Sequence, residues 1–220
     1  MEKLFLLDAY ALIYRAYYAF IKNPRINSKG FNTSAILGFV NTLEEVLRKE
    51  NPTHIGIAFD PSGPTFRHEA YEAYKAQREE TPEAIRQSVP IIKDIIRAYH
   101  IPILEIAGYE ADDVIGTLAT EAGKRGINTY MMTPDKDYGQ LVCEHVFMYR
   151  PKYGDKDFEV MGVEEVKAKF DIQSLFSKNC RGLFLTGGTC QIISAGTGEH
   201  TIPVRIWNRR ELIITDIGKP

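Results

Sequence analysis

Short apolar runs that finish at or just before acidic residues alternate with stretches of helical spacing, and this alternation constrains the fold more than any other feature of the chain. Residues 4–7 (LFLL) end at Asp8, and residues 54–59 (HIGIAF) end at Asp60. Residues 101–106 precede GYEADD, residues 128–132 (NTYMM) precede TPDKD, and residues 146–150 offer a fifth run. Between them, residues 11–20, 34–49, 83–99 and 114–124 carry apolar positions at helical spacing, with Ser34 expected as an N-cap and Pro82 opening the third helix. Strands alternating with helices predict an α/β protein whose mainly parallel central sheet is covered by helices on both faces.

In such a sheet, ligands bind outside the carboxyl ends of the strands. Asp8, Asp60, Glu110, Asp112, Asp113, Asp135 and Asp137 all lie at or after those ends, so separate stretches deliver seven acids to one edge. Three of them crowd into GYEADD, where like charges repel and raise one another's pKa. A solvated acidic helix N-terminus is the ordinary explanation for such a cluster taken alone. Four further acids arriving from other strand ends favour a bound cation. Carboxylate oxygens suit hard ions such as Mg²⁺, which takes only one or two protein carboxylates. Seven exceed the needs of a single ion and fit a two-metal phosphodiester site, with ions roughly 4 Å apart. The motifs hold no His or Cys, which disfavours zinc.

The formal net charge of −2 excludes a uniformly basic nucleic-acid binder but leaves room for a local basic face. The three cysteines, Cys143, Cys180 and Cys190, form no CxxC pair, so a reducing cytoplasm is expected and no disulfide framework. Asp8 and Arg15 interrupt the apolar N-terminus, and neither a signal peptide nor a membrane span is expected.

LLDAYALIYRAYYAF, AFDPSGPTFRHEAYEAYKAQR, GYEADDVIGTLA and TPDKDYGQLV, in this order, closely resemble the N-terminal 5′-nuclease domain of bacterial DNA polymerase I, a relative of the flap endonucleases. The resemblance covers about residues 3–173 and implies a PIN-like, resolvase-like fold with a helical arch at about residues 63–85. It implies a bacterial 5′ to 3′ exonuclease and flap endonuclease using Mg²⁺ or Mn²⁺, two ions in all. Its partners would be DNA with a 5′ flap, nick or single-stranded 5′ end, the RNA primer of a hybrid, and a covalently linked polymerase domain. By resemblance the seven acids become metal ligands, direct or through water, and Lys75 and Arg78 become catalytic cations. Charge alone reads Arg67, Lys75 and Arg78 more simply, as offsets to Glu69, Glu72, Glu79 and Glu80 on a solvated helix. Tyr14, Tyr71 and Tyr74 are candidates for stacking on unpaired bases and Arg15 for holding a phosphate, although tyrosines on an amphipathic helix commonly pack with the hydroxyl at the rim.

After residue 173 the family pattern stops, and residues 174–220 form an atypical tail in place of the family's helix-hairpin-helix. The Gly-Asp-x-Ser-Asp-Asn motif expected there is missing. One choice of codons for Gly-Asp-Met-Ser-Asp-Asn-Ile, read one base later, spells Gly188 to Ile193. Out-of-frame translation of the tail is therefore a hypothesis; a coding sequence that cannot be shifted into the motif would exclude it. Three functional readings stand: the nuclease, a catalytically incomplete module that binds branched DNA, and a PIN-like RNA nuclease. A phosphatase or nucleotide-binding protein is disfavoured because no Gly-rich phosphate loop follows a strand.

Overall fold

The computed structural model describes residues 2–67, 80–151, 158–170, 182–186 and 189–193. The buried runs become β1 (Lys3–Asp8), β2 (His54–Ala58), β3 (Ile103–Leu104), β4 (Asn128–Met132) and β5 (Val146–Pro151). The helical stretches become α1 (Ala9–Ala19), α2 (Ser34–Glu50), α3 (Glu83–Ala98) and α4 (Ala111–Lys124). A 3₁₀ helix (Lys136–Leu141), an edge strand β6 (Phe158–Met161) and α5 (Val163–Phe170) complete the sheet region.

One six-stranded sheet runs in the order β3-β2-β1-β4-β5-β6. Every pairing in it is parallel except β5 with β6. The order runs leftward from β1 through β2 to β3 and rightward from β4, so the chain's winding reverses between β1 and β4. Such a reversal opens a crevice at the carboxyl ends of the two strands. Asp8 ends β1, and Thr133, Asp135 and Asp137 follow β4, so the acids flank that crevice.

β1 shows why both faces are covered. Phe5 and Leu7 enter one core with Leu12, Ile13, Phe39, Leu43, Ile85 and Ile92, under α1, α2 and α3. Leu6 points the other way, into a core with Ile115, Ala119, Met131, Tyr138, Met148 and Val166. Alternating side chains of one buried strand thus seed two cores.

The structure corrects several local expectations. Thr33, not Ser34, holds the N-cap position of α2, and it makes no side-chain cap bond. Ser34 is buried, accepts from the Arg25 N–H at 2.8 Å, and has its own N–H taken by Asn32 Oδ1 at 3.0 Å. β3 shrinks to two residues. α4 starts at Ala111, inside GYEADD, rather than at residue 114. In the tail, β7 (Gly182–Thr186) and β8 (Thr189–Ile193) form an antiparallel pair. Among the described residues no helix is long and apolar enough to cross a membrane.

Candidate active site

Asp8 has a local task before any functional one: as N-cap of α1 its Oδ1 accepts from the Ala11 N–H at 3.1 Å. Its Oδ2 lies 3.5 Å from Thr133 Oγ1, and the same hydroxyl accepts from the Asp135 N–H at 3.2 Å. Thr133 is buried and links the ends of β1 and β4. Loss of hydration, followed by the charges of Asp60, Asp112 and Asp135, outweighs the Ala11 hydrogen bond and pushes the Asp8 carboxyl up to about 7.

Asp60 accepts from the Ala111 N–H at 2.8 Å, which fastens the start of α4 to the end of β2. Glu110 is the N-cap of α4, and its N–H donates to Asp113 Oδ2 at 3.1 Å. Arg67 grips Asp113 with two bonds, Nη1 to Oδ2 at 2.6 Å and Nη2 to Oδ1 at 2.7 Å. Its Nη1 also lies 3.7 Å from Glu110 Oε2. Burial disfavours the Arg67 charge, but Asp113, Asp112 and Glu110 together outweigh it.

Asp112 sits in the same helix turn without such a grip. Loss of hydration and then the neighbouring Asp113 charge raise its carboxyl to about 6, despite Arg67 nearby. Among the described residues its Oδ1 is buried without a hydrogen-bond partner, as is Oδ1 of Asp137. Asp135 caps the 3₁₀ helix by accepting from the Asp137 N–H at 2.9 Å. Burial and Asp135 raise the Asp137 carboxyl.

Asp8, Asp60, Asp112 and Asp135 therefore share one electrostatic field, Glu110 and Asp113 gather around Arg67, and Asp137 couples chiefly to Asp135. Among the described residues no three Asp, Glu, His or Cys side chains close up as a finished metal cage. The donor set nevertheless fits a hard divalent cation. Two buried carboxylate oxygens without a hydrogen-bond partner among the described residues, and two carboxyls raised by burial and then by neighbouring acids, are what a cation would relieve.

The Tyr14 hydroxyl donates to Thr81 Oγ1 at 3.1 Å while its ring packs on the apolar core. The Arg15 guanidinium lies 5.0 Å from the Phe158 ring centroid, and burial lowers its pKa. Lys75, Arg78, Tyr71 and Tyr74 lie outside the described residues.

The model of the 5′-3′ exonuclease N-terminal resolvase-like domain matches residues 3–171. The chain belongs to this family. DNA polymerase I of Bacillus caldotenax is 40% identical over 172 residues, 78% of this chain and 19% of that protein. The 5′-3′ exonuclease of Aquifex aeolicus is 38% identical over 173 residues, 79% of this chain and 58% of that one. DNA polymerase I of Bacillus subtilis is 38% identical over 203 residues, 91% of this chain and 22% of that protein. The chain thus spans about a fifth of the length of the polymerase relatives it matches. A phage T5 5′-exonuclease solved with divalent zinc has the same fold, with TM-score 0.56 and 16% identity over 77% of this chain and 61% of that one.

Two features of this family member escaped the sequence reading. Thr133 lacked any charge to draw notice. Tyr138 is fully buried, yet its hydroxyl has no hydrogen-bond partner among the described residues. Burial, then Asp8, Asp112, Asp135 and Asp60, hold that phenol well above its usual range. It shares a core with Ala58 and Ala111, which adjoin the ends bearing Asp60 and Asp112. A tyrosine inside an acidic motif was the available signal.

Proposed function

We propose that this domain hydrolyses DNA phosphodiesters at free or flapped 5′ ends, as a 5′ to 3′ exonuclease and flap endonuclease dependent on two Mg²⁺ or Mn²⁺ ions. The observation that carries the reading is the set of mutually repelling, partly unpartnered carboxylates at the β1–β4 crevice. Family membership sets the reaction class, and the metal ions bound by the T5 relative support the cofactor.

Asp8, Asp60, Asp112 and Asp135 would hold one hard cation, with Glu110, Asp113 and Asp137 completing the pair of sites through side chain or water. Divalent ions held there would polarise the phosphoryl oxygens and lower the pKa of bound water. Backbone N–H groups orient the carboxylates: Ala11 holds Asp8, Ala111 holds Asp60 and Glu110 holds Asp113. Arg67 holds Asp113 in a bidentate grip. Lys75 and Arg78 stabilise charge as the water oxygen joins phosphorus and the ester oxygen leaves. RNA primers in hybrid form are further substrates, and a linked polymerase domain is the natural partner.

The test is cleavage of a 5′-labelled flap oligonucleotide by the 220-residue chain with Mg²⁺, Mn²⁺ or EDTA, beside Asp113→Ala. Metal-dependent cutting that falls by 10- to 100-fold or more in the variant supports the reading. Flap binding without cutting assigns the chain to the branched-DNA binders instead, as expected if the missing Gly-Asp-x-Ser-Asp-Asn motif were indispensable. A strict preference for RNA would favour the PIN-like alternative.

A further inference from the structure

Phe66 and Tyr109 form an exposed aromatic pair on the rim of the acid cluster. Their ring centroids lie 5.7 Å apart with planes tilted by 52°. Phe66 is 43% and Tyr109 51% exposed, unusual for large rings placed side by side.

Backbone bonds hold the pair there. The Phe66 N–H donates to the Gly108 carbonyl at 3.0 Å, and the Tyr109 N–H donates to the Ile106 carbonyl at 3.1 Å. Gly108 takes φ +84°, a left-handed value that turns the chain outward just before Tyr109. The next residue on each segment of this junction, Arg67 or Glu110, belongs to the charged cluster, where the two side chains approach to 3.7 Å. Each ring is therefore one residue, about 3.8 Å along the chain, from a member of the candidate active site. The Arg67 guanidinium also lies 4.6 Å from the Phe66 centroid, a cation–π contact that steadies the ring.

We propose that Phe66 and Tyr109 form a stacking subsite for an unpaired nucleobase of the strand whose phosphate lies at the acid cluster. The proposal rests on the DNA reading above. Every base offers a π-face, so such a platform binds single strands with little sequence preference. It positions the phosphate by holding the adjacent base, while the carboxylates supply the chemistry.

The test is fluorescence anisotropy of a flap oligonucleotide bound by the 220-residue chain, its Phe66→Ala and Tyr109→Ala variants, and Tyr109→Trp, which retains a ring. Each is repeated with an abasic site moved along the flap one nucleotide at a time. Tyr109→Ala should weaken binding by roughly 5- to 150-fold, the range for one lost stack, and Tyr109→Trp should restore it. An abasic site at one position should weaken the parent chain by a similar factor and add nothing further in Tyr109→Ala. Tight flap binding that both alanine variants retain overturns the subsite alone. So does an alanine effect undiminished at every abasic position, which would point to protein structure rather than base contact. A parent chain that binds no flap overturns the subsite and the DNA reading together.

Discussion

Asp8 concentrates the conflict that this site is built around. Its carboxyl is raised from 3.8 to about 7, so the folded chain holds a proton there more tightly than the unfolded chain does. Stability from that proton is fully present below about pH 4 and is lost as pH rises through about 7. Asp112, raised to about 6, acts in the same direction. In EDTA the melting temperature should fall between pH 5 and pH 8, and Asp8→Asn should flatten that fall and raise the value at pH 8. A thermal melt series in EDTA checks it; a profile equally steep in parent and variant would show that Asp8 is not the source. Arg67 answers the same repulsion differently. It matches one carboxylate with a bidentate fork, leaving Asp112 Oδ1 without a partner among the described residues.

At the scale of elements, the acids depend on how closely helices approach. Gly38 on α2 faces Ala16 on α1, and a Cβ built at Gly38 would stand 2.6 Å from Ala16 Cβ and 3.1 Å from its Cα. Gly→Ala inside a helix ordinarily stabilises by up to about 1 kcal/mol. Here the contact is with backbone as well as side chain, so α1 must move. Gly38→Ala is expected to destabilise, by about 1–3 kcal/mol as for other overpacked cores. Because Asp8 caps α1, flap cleavage should fall with it. Denaturant unfolding and cleavage measured on one preparation test both parts, and a variant more stable than the parent would overturn the packing argument.

For the whole molecule, the acids are a liability that, on the proposed reading, a bound cation would convert into stability. A ligand that binds only the folded chain stabilises it by about 2.7 kcal/mol at a hundredfold excess over Kd. For a domain of this size that corresponds to roughly 5–10 °C. Saturating Mg²⁺ at pH 8 should raise the melting temperature by that order, EDTA should reverse it, and Asp8→Asn should shrink it. Equal melting curves with and without Mg²⁺ would argue against a cation at the crevice.

Much of this was legible in the linear sequence. Apolar runs and helical spacing are short-range signals, so β1, β2, β4, β5 and the four long helices fall close to where the periodicity predicts them. β6 escaped notice because it spans only four residues and α5 because it is short and largely polar, and the cap of α2 shifted because Ser34 is drawn into contact with Arg25. The sequence by itself determined the fold class, the family and the delivery of acids to strand ends, because a strand and the residue that terminates it are neighbours in the chain. Only the tertiary structure decided the sheet order, the winding reversal between β1 and β4, and which acids share a field. The Arg67–Asp113 pair spans 46 positions and the Thr133–Asp8 contact 125. Such partners are chosen by packing and by the need to neutralise charge withdrawn from water, and no local pattern records that choice.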